Sequence, residues 1–274
     1  MDYSPKKITE MLDNNSFHLK KKYGQNFIID ENIINSIISK SNINNETLVI
    51  EIGPGAGALT NKIAAIAKNV LCYEIDTTLE KVLSKTLSNY SNIEIKYEDF
   101  LSANIDNDIK KYNYSTISVI ANLPYYITTP ILVKIIESQI PVDKIIVMVQ
   151  KEVGNRFRAM PGTKDYNSLT VYLNYYFDVK KILDVSRNVF IPKPNVDSIV
   201  VEFRKKERAY LKNETVFFNL VKDSFQQKRK TLKNNLKNYD LNKIDCVLKK
   251  HGYDLTVRAE QLSMDIFVEI ANSL

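Results

Sequence analysis

Four short stretches carry residues whose types and spacing suit one kind of chemistry. Glu51-Ile-Gly53-Pro-Gly55-Ala-Gly57-Ala58 sets three glycines where an apolar run ends. Glycine lets a backbone turn sharply and lie close to a ligand. A helix that opens just after such a turn offers free N–H groups to an anion. Glu74 ends the next apolar run, about 20 residues on, where an acid meets ribose hydroxyls in a nucleotide crevice. Asp99 follows a third run and is expected near an adenine edge. Asn122-Leu123-Pro124-Tyr125 ends a fourth.

The glycine stretch by itself leaves several ligands open. Gly53, Gly55 and Ala58 also satisfy the dinucleotide pattern. A glycine turn that only packs a helix on a strand would look the same. Glu51, inside the strand, favours S-adenosylmethionine, because a buried carboxylate suits an ammonium better than a pyrophosphate. The fourth stretch suggests what is done there. An exocyclic adenine amine is a poor nucleophile, its lone pair being drawn into the ring. The Asn122 side-chain oxygen and the Leu123 or Pro124 carbonyl can accept its two N–H bonds. That favours a tetrahedral nitrogen whose lone pair faces a methyl donor. Tyr125 offers a flat face for the base. Positioning and electrostatics do this work, and no base of shifted pKa is required.

Stepping outward along the chain, alternating elements hold these stretches. Apolar spacing predicts a helix over 31–39. Short apolar runs predict strands at 47–52, 69–75, 93–97, 116–121 and 143–149, with helices at 58–67, 78–87 and 130–137. Near-continuous apolar strands alternating with helices imply a parallel sheet covered on both faces. The segments 168–179 and 198–203 read as strands, an antiparallel pair at the sheet edge. From about Asn213 the pattern is helical, and a boundary is expected where the sequence turns charged, near 205–212. The fold class is thus α/β, a Rossmann-like sheet over residues 1–208 with a small helical domain over 209–274.

Composition removes other classes. The chain has 274 residues, 44% of them apolar and 26% charged, a globular balance. No apolar run approaches the roughly 20 residues of a membrane span, and the first residues have no secretory h-region. Two distant cysteines, Cys72 and Cys246, point to a reducing compartment and no disulfide framework. Two histidines and no Cys/His cluster exclude a zinc site. The net charge is +6, and most of it lies beyond residue 204. Gln226 to Lys237 (QQKRKTLKNNLK) places Lys228, Arg229, Lys230, Lys233 and Lys237 in about three expected helical turns. Such a face suits a phosphate backbone, which positions a protein without reading sequence. A solvated face would look alike. Lys20 to Lys22 are expected near the same phosphate backbone.

These stretches together resemble the KsgA family of ribosomal RNA adenine dimethyltransferases over essentially the whole chain. The matches are KKYGQNFIID (21–30), VIEIGPGAGALT (49–60), YEID (73–76), EDF (98–100), NLPYYITTP (122–130), QKEVGNRF (150–157), FIPKPNVDSIVV (190–201) and FQQKRKTLKNNL (225–236). The Erm enzymes, which modify large-subunit RNA, share the first five more loosely. The resemblance implies that Asn26 and Ile28 close over the methionine part of S-adenosylmethionine. It implies that Gly53 and Gly55, with Glu51, form the cofactor loop, that Glu74 binds the ribose and that Asp99 contacts the adenine. Asn122, Leu123, Pro124 and Tyr125 would hold the target amine. Phe190 would sandwich the base opposite Tyr125, presented by a stiff segment with Pro192 and Pro194. One departure stands out: the family usually has Asn after the motif tyrosine, and this chain has Tyr126, which bears on the shape of the pocket's outer wall. The implied substrate is two adjacent adenines near the 3′ end of small-subunit ribosomal RNA, within an assembling 30S-type particle. A cytoplasmic, monomeric, metal-free enzyme is expected. An Erm-like enzyme conferring macrolide resistance, or a non-catalytic RNA-binding assembly factor, are the alternatives.

Overall fold

A computed structural model describes residues 24–138 and 140–274. Lys20 to Lys22 lie outside the described residues. The strands are β1 (Phe27–Ile28), β2 (Thr47–Ile52), β3 (Asn69–Tyr73), β4 (Ile93–Lys96), β5 (Thr116–Asn122), β6 (Val142–Gln150), β7 (Phe177–Val185), β8 (Phe190–Ile191) and β9 (Ser198–Lys205). Seven of them form one sheet in the order β4-β3-β2-β5-β6-β9-β7. β3 and β5 flank β2 in parallel, and β4 and β6 extend the parallel part outward. Strand order reverses at β2, so the crevice beyond its carboxyl end is where a ligand binds in such sheets. All six residues of β2 are buried, as a central parallel strand requires. β1 and β8 form a separate antiparallel pair, with Phe27 opposite Ile191 and Ile28 opposite Phe190.

The helices α1 (Glu31–Ser41), α2 (Ala58–Ala64), α3 (Glu80–Thr86), α4 (Ile105–Ile109) and α5 (Thr128–Glu137) accompany these strands. In α1, Asp30 accepts the backbone N–H groups of Asn32 and Ile33, which starts the helix. Its Ile34, Ile37 and Ile38 are buried and join a core with Val49, Val70, Ile120 and Ile146 from the sheet.

The chain divides into two compact units. One holds the chain up to Lys151 with Lys181–Phe203, the other Glu152–Lys180 with Arg204–Leu274. The switch near 204 lies a few residues before the expected 208, but 152–180 groups with the C-terminal helices and not with the sheet unit. Part of the reason is a misread element. Ser168–Tyr176 is a helix and not the expected strand. Its Val, Thr and Tyr content favours a strand. Asn167 overrides that with a capping box: its side chain accepts from Leu169 and Thr170, and the Thr170 hydroxyl accepts from the Asn167 N–H. Val171 and Tyr175 then point into a core with Phe217, Leu220 and Phe267. The Tyr175 and Phe217 rings sit 5.2 Å apart, and Tyr172 and Phe218 4.7 Å.

In this second unit the helices are α6 (Lys151–Phe157), α7 (Ser168–Tyr176), α8 (Glu214–Ser224), α9 (Leu232–Asn235), α10 (Leu241–Lys250) and α11 (Met264–Ser273). The three helical turns expected over 226–237 are not there. The chain leaves α8 in turns, with Gln226 N–H donating to Asp223 and Lys230 N–H to Gln227. Only the four residues of α9 are helical. The Leu232 and Lys233 N–H groups go to the Val257 and Leu255 carbonyls instead, which breaks any continuous ladder. Five cations on three turns would also repel one another.

Candidate functional site

The end of β2 opens a cavity of about 1060 Å³, counting the solvent at its mouth. Its walls come from 24–28, 51–56, 58–59, 73–75, 98–100, 122–124 and 126–127, with Ile131 behind them. The glycine loop shapes the near wall. Gly55 has φ 59°, and a Cβ there would lie 2.9 Å from the Phe27 ring. Left-handed backbone and lack of room both demand glycine at this point. Gly57, φ 84°, is the N-cap of α2. Gly53 lines the cavity, and a Cβ on it would meet nothing within 4 Å.

Glu74 is the most firmly held acid of the wall. Its two oxygens accept from Gly55 N–H at 3.2 Å and Asp76 N–H at 2.9 Å. The glycine loop and the end of β3 are thereby joined through one carboxylate. Burial pushes its carboxyl up to about 7, against the pull of those two backbone donors. Glu51 stands opposite Cys72 in the register of β2 and β3 and is 1% exposed. The Cys72 thiol lies 3.8 Å from its Oε2. Burial raises the Glu51 carboxyl to about 8, with the nearby Glu74 adding to the rise. Asp99 is at the wall beyond β4, its Oδ1 accepting from Leu101 N–H at 2.9 Å.

The charge of the lining decides between ligands. Four carboxylates line it, Glu51, Glu74, Glu98 and Asp99, and no Lys or Arg does so among the described residues. Such a wall suits hydroxyls and positive charge. It offers no cation to a pyrophosphate, and α2, seven residues long, supplies only a short dipole in its place. The lining therefore disfavours the dinucleotide reading of the glycines. A nucleoside carrying an ammonium and a sulfonium fits the donor set.

Asn122 closes β5 at the far wall. Its amide nitrogen donates to the Asn26 carbonyl at 2.8 Å, and Asn26 in turn donates to the Gly24 carbonyl. With its nitrogen committed to this arm, the Asn122 oxygen is the end left to accept from a substrate amine. Of the two carbonyls expected to help, that of Pro124 already accepts from Ile127 N–H and the Thr128 hydroxyl. A carbonyl has two lone pairs, so Leu123 is the better candidate.

Asn26, Ile28, Glu51, Gly53, Gly55, Glu74, Asp99, Asn122, Leu123 and Pro124 all line this one cavity. Tyr125 and Phe190 do not. Tyr125 is half-buried, its hydroxyl 3.0 Å from the Ser198 Oγ. Phe190 is 3% exposed and belongs to the core, paired through β8 with Ile28. The sequence reading missed this pairing because two-residue strands leave no periodicity. Tyr126, the departure from the family motif, is a wall residue as its position implied. Tyr126 is 60% exposed at the mouth, with its ring against Gly24. Lys228, Arg229, Lys230 and Lys233 lie in the other unit, all exposed. Lys228 donates to the Lys164 carbonyl. Leu232 and Leu236 anchor the segment by burial.

A parallel sheet with its ligand crevice at β2, walled by acids and closed by an Asn-Leu-Pro-Tyr strand end, defines a Rossmann-like methyltransferase domain. Solved structures agree. A dimethyladenosine transferase from Plasmodium falciparum superposes with TM-score 0.75 at 27% identity, covering 88% of this chain and 94% of its own. The 23S rRNA methyltransferase ErmE gives TM-score 0.72 at 25%, covering 90% and 99%. The family profile "Ribosomal RNA adenine dimethylase" matches residues 16–274. Ribosomal RNA small subunit methyltransferase A of Bacillus mycoides is 42% identical, over 99% of this chain and 96% of its own length, and that of Bacillus cereus is 41% identical over the same shares. The chain belongs to the ribosomal RNA adenine dimethylase family.

Proposed function

We propose that this chain is an S-adenosylmethionine-dependent dimethyltransferase that modifies the N6 amines of two adjacent adenines near the 3′ end of small-subunit ribosomal RNA. The observation that carries the reading is the meeting of a cavity whose charged lining residues are all acids with the Asn122 strand end on one wall. Near-full-length identity of 41–42% to small-subunit enzymes supports the choice of RNA.

In this reading Glu74 accepts the ribose hydroxyls, its carboxylate already aimed by two backbone donors. Asp99 meets the adenine edge. Glu51 faces the ammonium, with Asn26 and Ile28 closing the methionine end. When bound, the cofactor supplies a methyl group on a sulfonium, an electrophile for the adenine nitrogen. The Asn122 oxygen and the Leu123 carbonyl accept the two N6 hydrogens and so free the nitrogen lone pair from the ring. Pro124 shapes the turn that presents them. Tyr125 supports the base by stacking, an interaction worth roughly 1–3 kcal/mol per base. That is comparable to the few kcal/mol needed to extrude it. Phe190 acts from behind, holding Ile28 and the arm through the β1–β8 pair. A stacking role for Phe190 requires its ring to leave the core, where it is 3% exposed.

The exposed cations Arg229, Lys230 and Lys233, with Lys228, hold phosphates of the RNA in an assembling 30S-type particle. The enzyme acts as a monomer in the cytoplasm, where that particle is found. Among the described residues no helix is long and apolar enough to cross a membrane, and no group of His, Cys, Asp or Glu is placed to hold a metal ion. The test is transfer of labelled methyl to unmodified small subunits, followed by mapping of dimethyladenine on both ribosomal RNAs. Two adjacent dimethyladenines near the small-subunit 3′ end are expected. A mark confined to large-subunit RNA would assign the Erm-like activity, which the ErmE likeness makes the alternative. A chain that binds no cofactor would be an assembly factor.

A further inference from the structure

The stretch Asn195-Val-Asp197-Ser198 has no part in the mechanism above, yet three elements of the site converge on it. Ser198 opens β9 and is fully buried. Its Oγ lies 3.0 Å from the Tyr125 hydroxyl. The preceding Asp197 holds two other elements. Its carbonyl accepts from Lys151 N–H at the end of β6, and its carboxylate accepts from Arg187 N–H at 3.0 Å. Arg187 reaches back with its guanidinium to the Asn195 carbonyl at 2.9 Å. Three residues beyond Arg187 is Phe190, whose strand holds Ile28 and the cofactor arm.

We propose that Ser198 is a positioning residue for methyl transfer, fixing the ring of Tyr125 by its hydroxyl so that the ring face is held for the target base. This rests on the stacking role given to Tyr125 above. The physical argument is about freedom. A half-buried tyrosine at a strand end, followed by an exposed residue, is held at its backbone but can swing its ring. A hydroxyl bond to a buried serine on a strand inside the sheet removes that swing before the base arrives. Orientation settled in advance need not be drawn from binding energy at the moment of reaction. Burial keeps the Tyr125 phenol protonated, so it can donate to Ser198. Asp197 sets where Ser198 stands, since its own bonds fix the strand start to β6 and to the loop before Phe190.

The experiment is a double-mutant cycle in the full-length protein, with kcat and KM on unmodified small subunits and the cofactor Kd measured separately. All assays run at least about ten degrees below the lowest melting point of the set. Ser198→Ala and Tyr125→Phe each remove the same bond from one side. Each should lower kcat about three- to tenfold, as loss of one hydrogen bond does, with KM and the cofactor Kd unchanged. The double variant should be no slower than the slower single one. A wild-type kcat in Ser198→Ala, or an equal further loss when Ser198→Ala is added to Tyr125→Phe, would overturn the proposal. If Ser198→Ala does not fold, Tyr125→Phe decides alone: wild-type kcat there overturns it as well. Tyr125→Ala separates the two readings. Wild-type turnover in Tyr125→Ala would remove the stacking role itself. A severe loss there beside a silent Ser198→Ala would remove only the positioning role.

Discussion

The sheet cavity and the basic segment before α9 are opposites in charge, burial and architecture. In the cavity, Glu51 and Glu74 are 1% and 4% exposed, and Glu74 is fixed by two backbone donors. In the segment, Arg229, Lys230 and Lys233 stand in solvent on turns and a four-residue helix. The contrast follows from what each region would recognise. A small cationic nucleoside is told from its relatives by a few buried groups at fixed positions. A phosphate backbone is met by many mobile charges, none decisive and all weakened by salt. Selectivity is therefore expected to concentrate in the cavity and attraction in the segment.

Breaking the cavity should give the largest effects. Asn122→Ala should lower kcat by about 100-fold or more, the scale seen when one preorganised polar partner of a reaction centre is removed, while RNA affinity survives. Single-turnover methyl transfer and a separate RNA-binding assay would check this. Turnover within a few-fold of wild type would take Asn122 out of the mechanism. Next in size is Glu74→Ala. It removes the acceptor of the ribose hydroxyls and leaves the Gly55 and Asp76 N–H groups without their partner. Cofactor binding should weaken by about 1–3 kcal/mol, read by calorimetry. An unchanged Kd would put the ribose elsewhere.

The segment should answer differently. Arg229→Gln with Lys230→Gln should flatten the slope of log affinity against log salt by roughly 0.7–0.9 for each phosphate no longer neutralised, with the cofactor Kd unchanged. Adding Lys228→Gln tests a distinct point, because Lys228 also donates to the Lys164 carbonyl. If its removal lowers the melting temperature without a further change in slope, Lys228 braces the fold and the other two hold the RNA. A wild-type slope in the triple variant would end the docking role of the segment.

The two regions also differed in how well they could be read from sequence. Glycines, Glu74, Asp99 and Asn122 stand at strand ends, and a parallel sheet brings strand ends together whatever the details of packing. That rule assembles eight of the ten expected lining residues around one cavity, and Asn26 and Ile28, on the arm, were expected from the family resemblance instead. Where packing or a local cap decides, the reading went astray. The helix 168–176 hangs on the Asn167 capping box against strand-like propensity. The basic stretch 226–237 kept its buried Leu232 and Leu236 but lost its helix to hydrogen bonds with Val257 and Leu255, residues far away in sequence. The proline-rich segment that follows Phe190 gave no hint that the Phe190 backbone pairs with Ile28. Tyr126 drew notice as a departure from the family at the outer wall, and it stands at the mouth of the cavity.

The finest test of the contrast is pH, because buried acids and exposed ions answer it with opposite signs. Glu51 titrates near 8 and Glu74 near 7 in the folded protein, against about 4.3 for a glutamate in an unfolded chain. Between pH 5 and 7 the folded state therefore holds protons on both that the unfolded state has released. Stability falls as pH rises wherever the native state binds more protons. The loss should continue on Glu51 alone from pH 7 to about 8 and then level off. Exposed Asp184, held low by Lys181, and Glu94, held low by Lys111 and Tyr112 against its burial, act the other way. They stabilise above the ordinary carboxylate range and lose that contribution as pH falls through it, in a lower window. The ligand-free protein should thus melt highest near pH 5 and lower at pH 8. Each proton contributes at most about 1.4 kcal/mol per pH unit. Glu51→Gln keeps the shape of the side chain and cannot ionise, so it should remove the decline between pH 7 and 8 and leave the acid limb untouched. A decline of wild-type steepness in Glu51→Gln would mean that this carboxylate is already charged in the folded protein. The ammonium of a bound ligand would then find its partner ready-made, with no proton to displace.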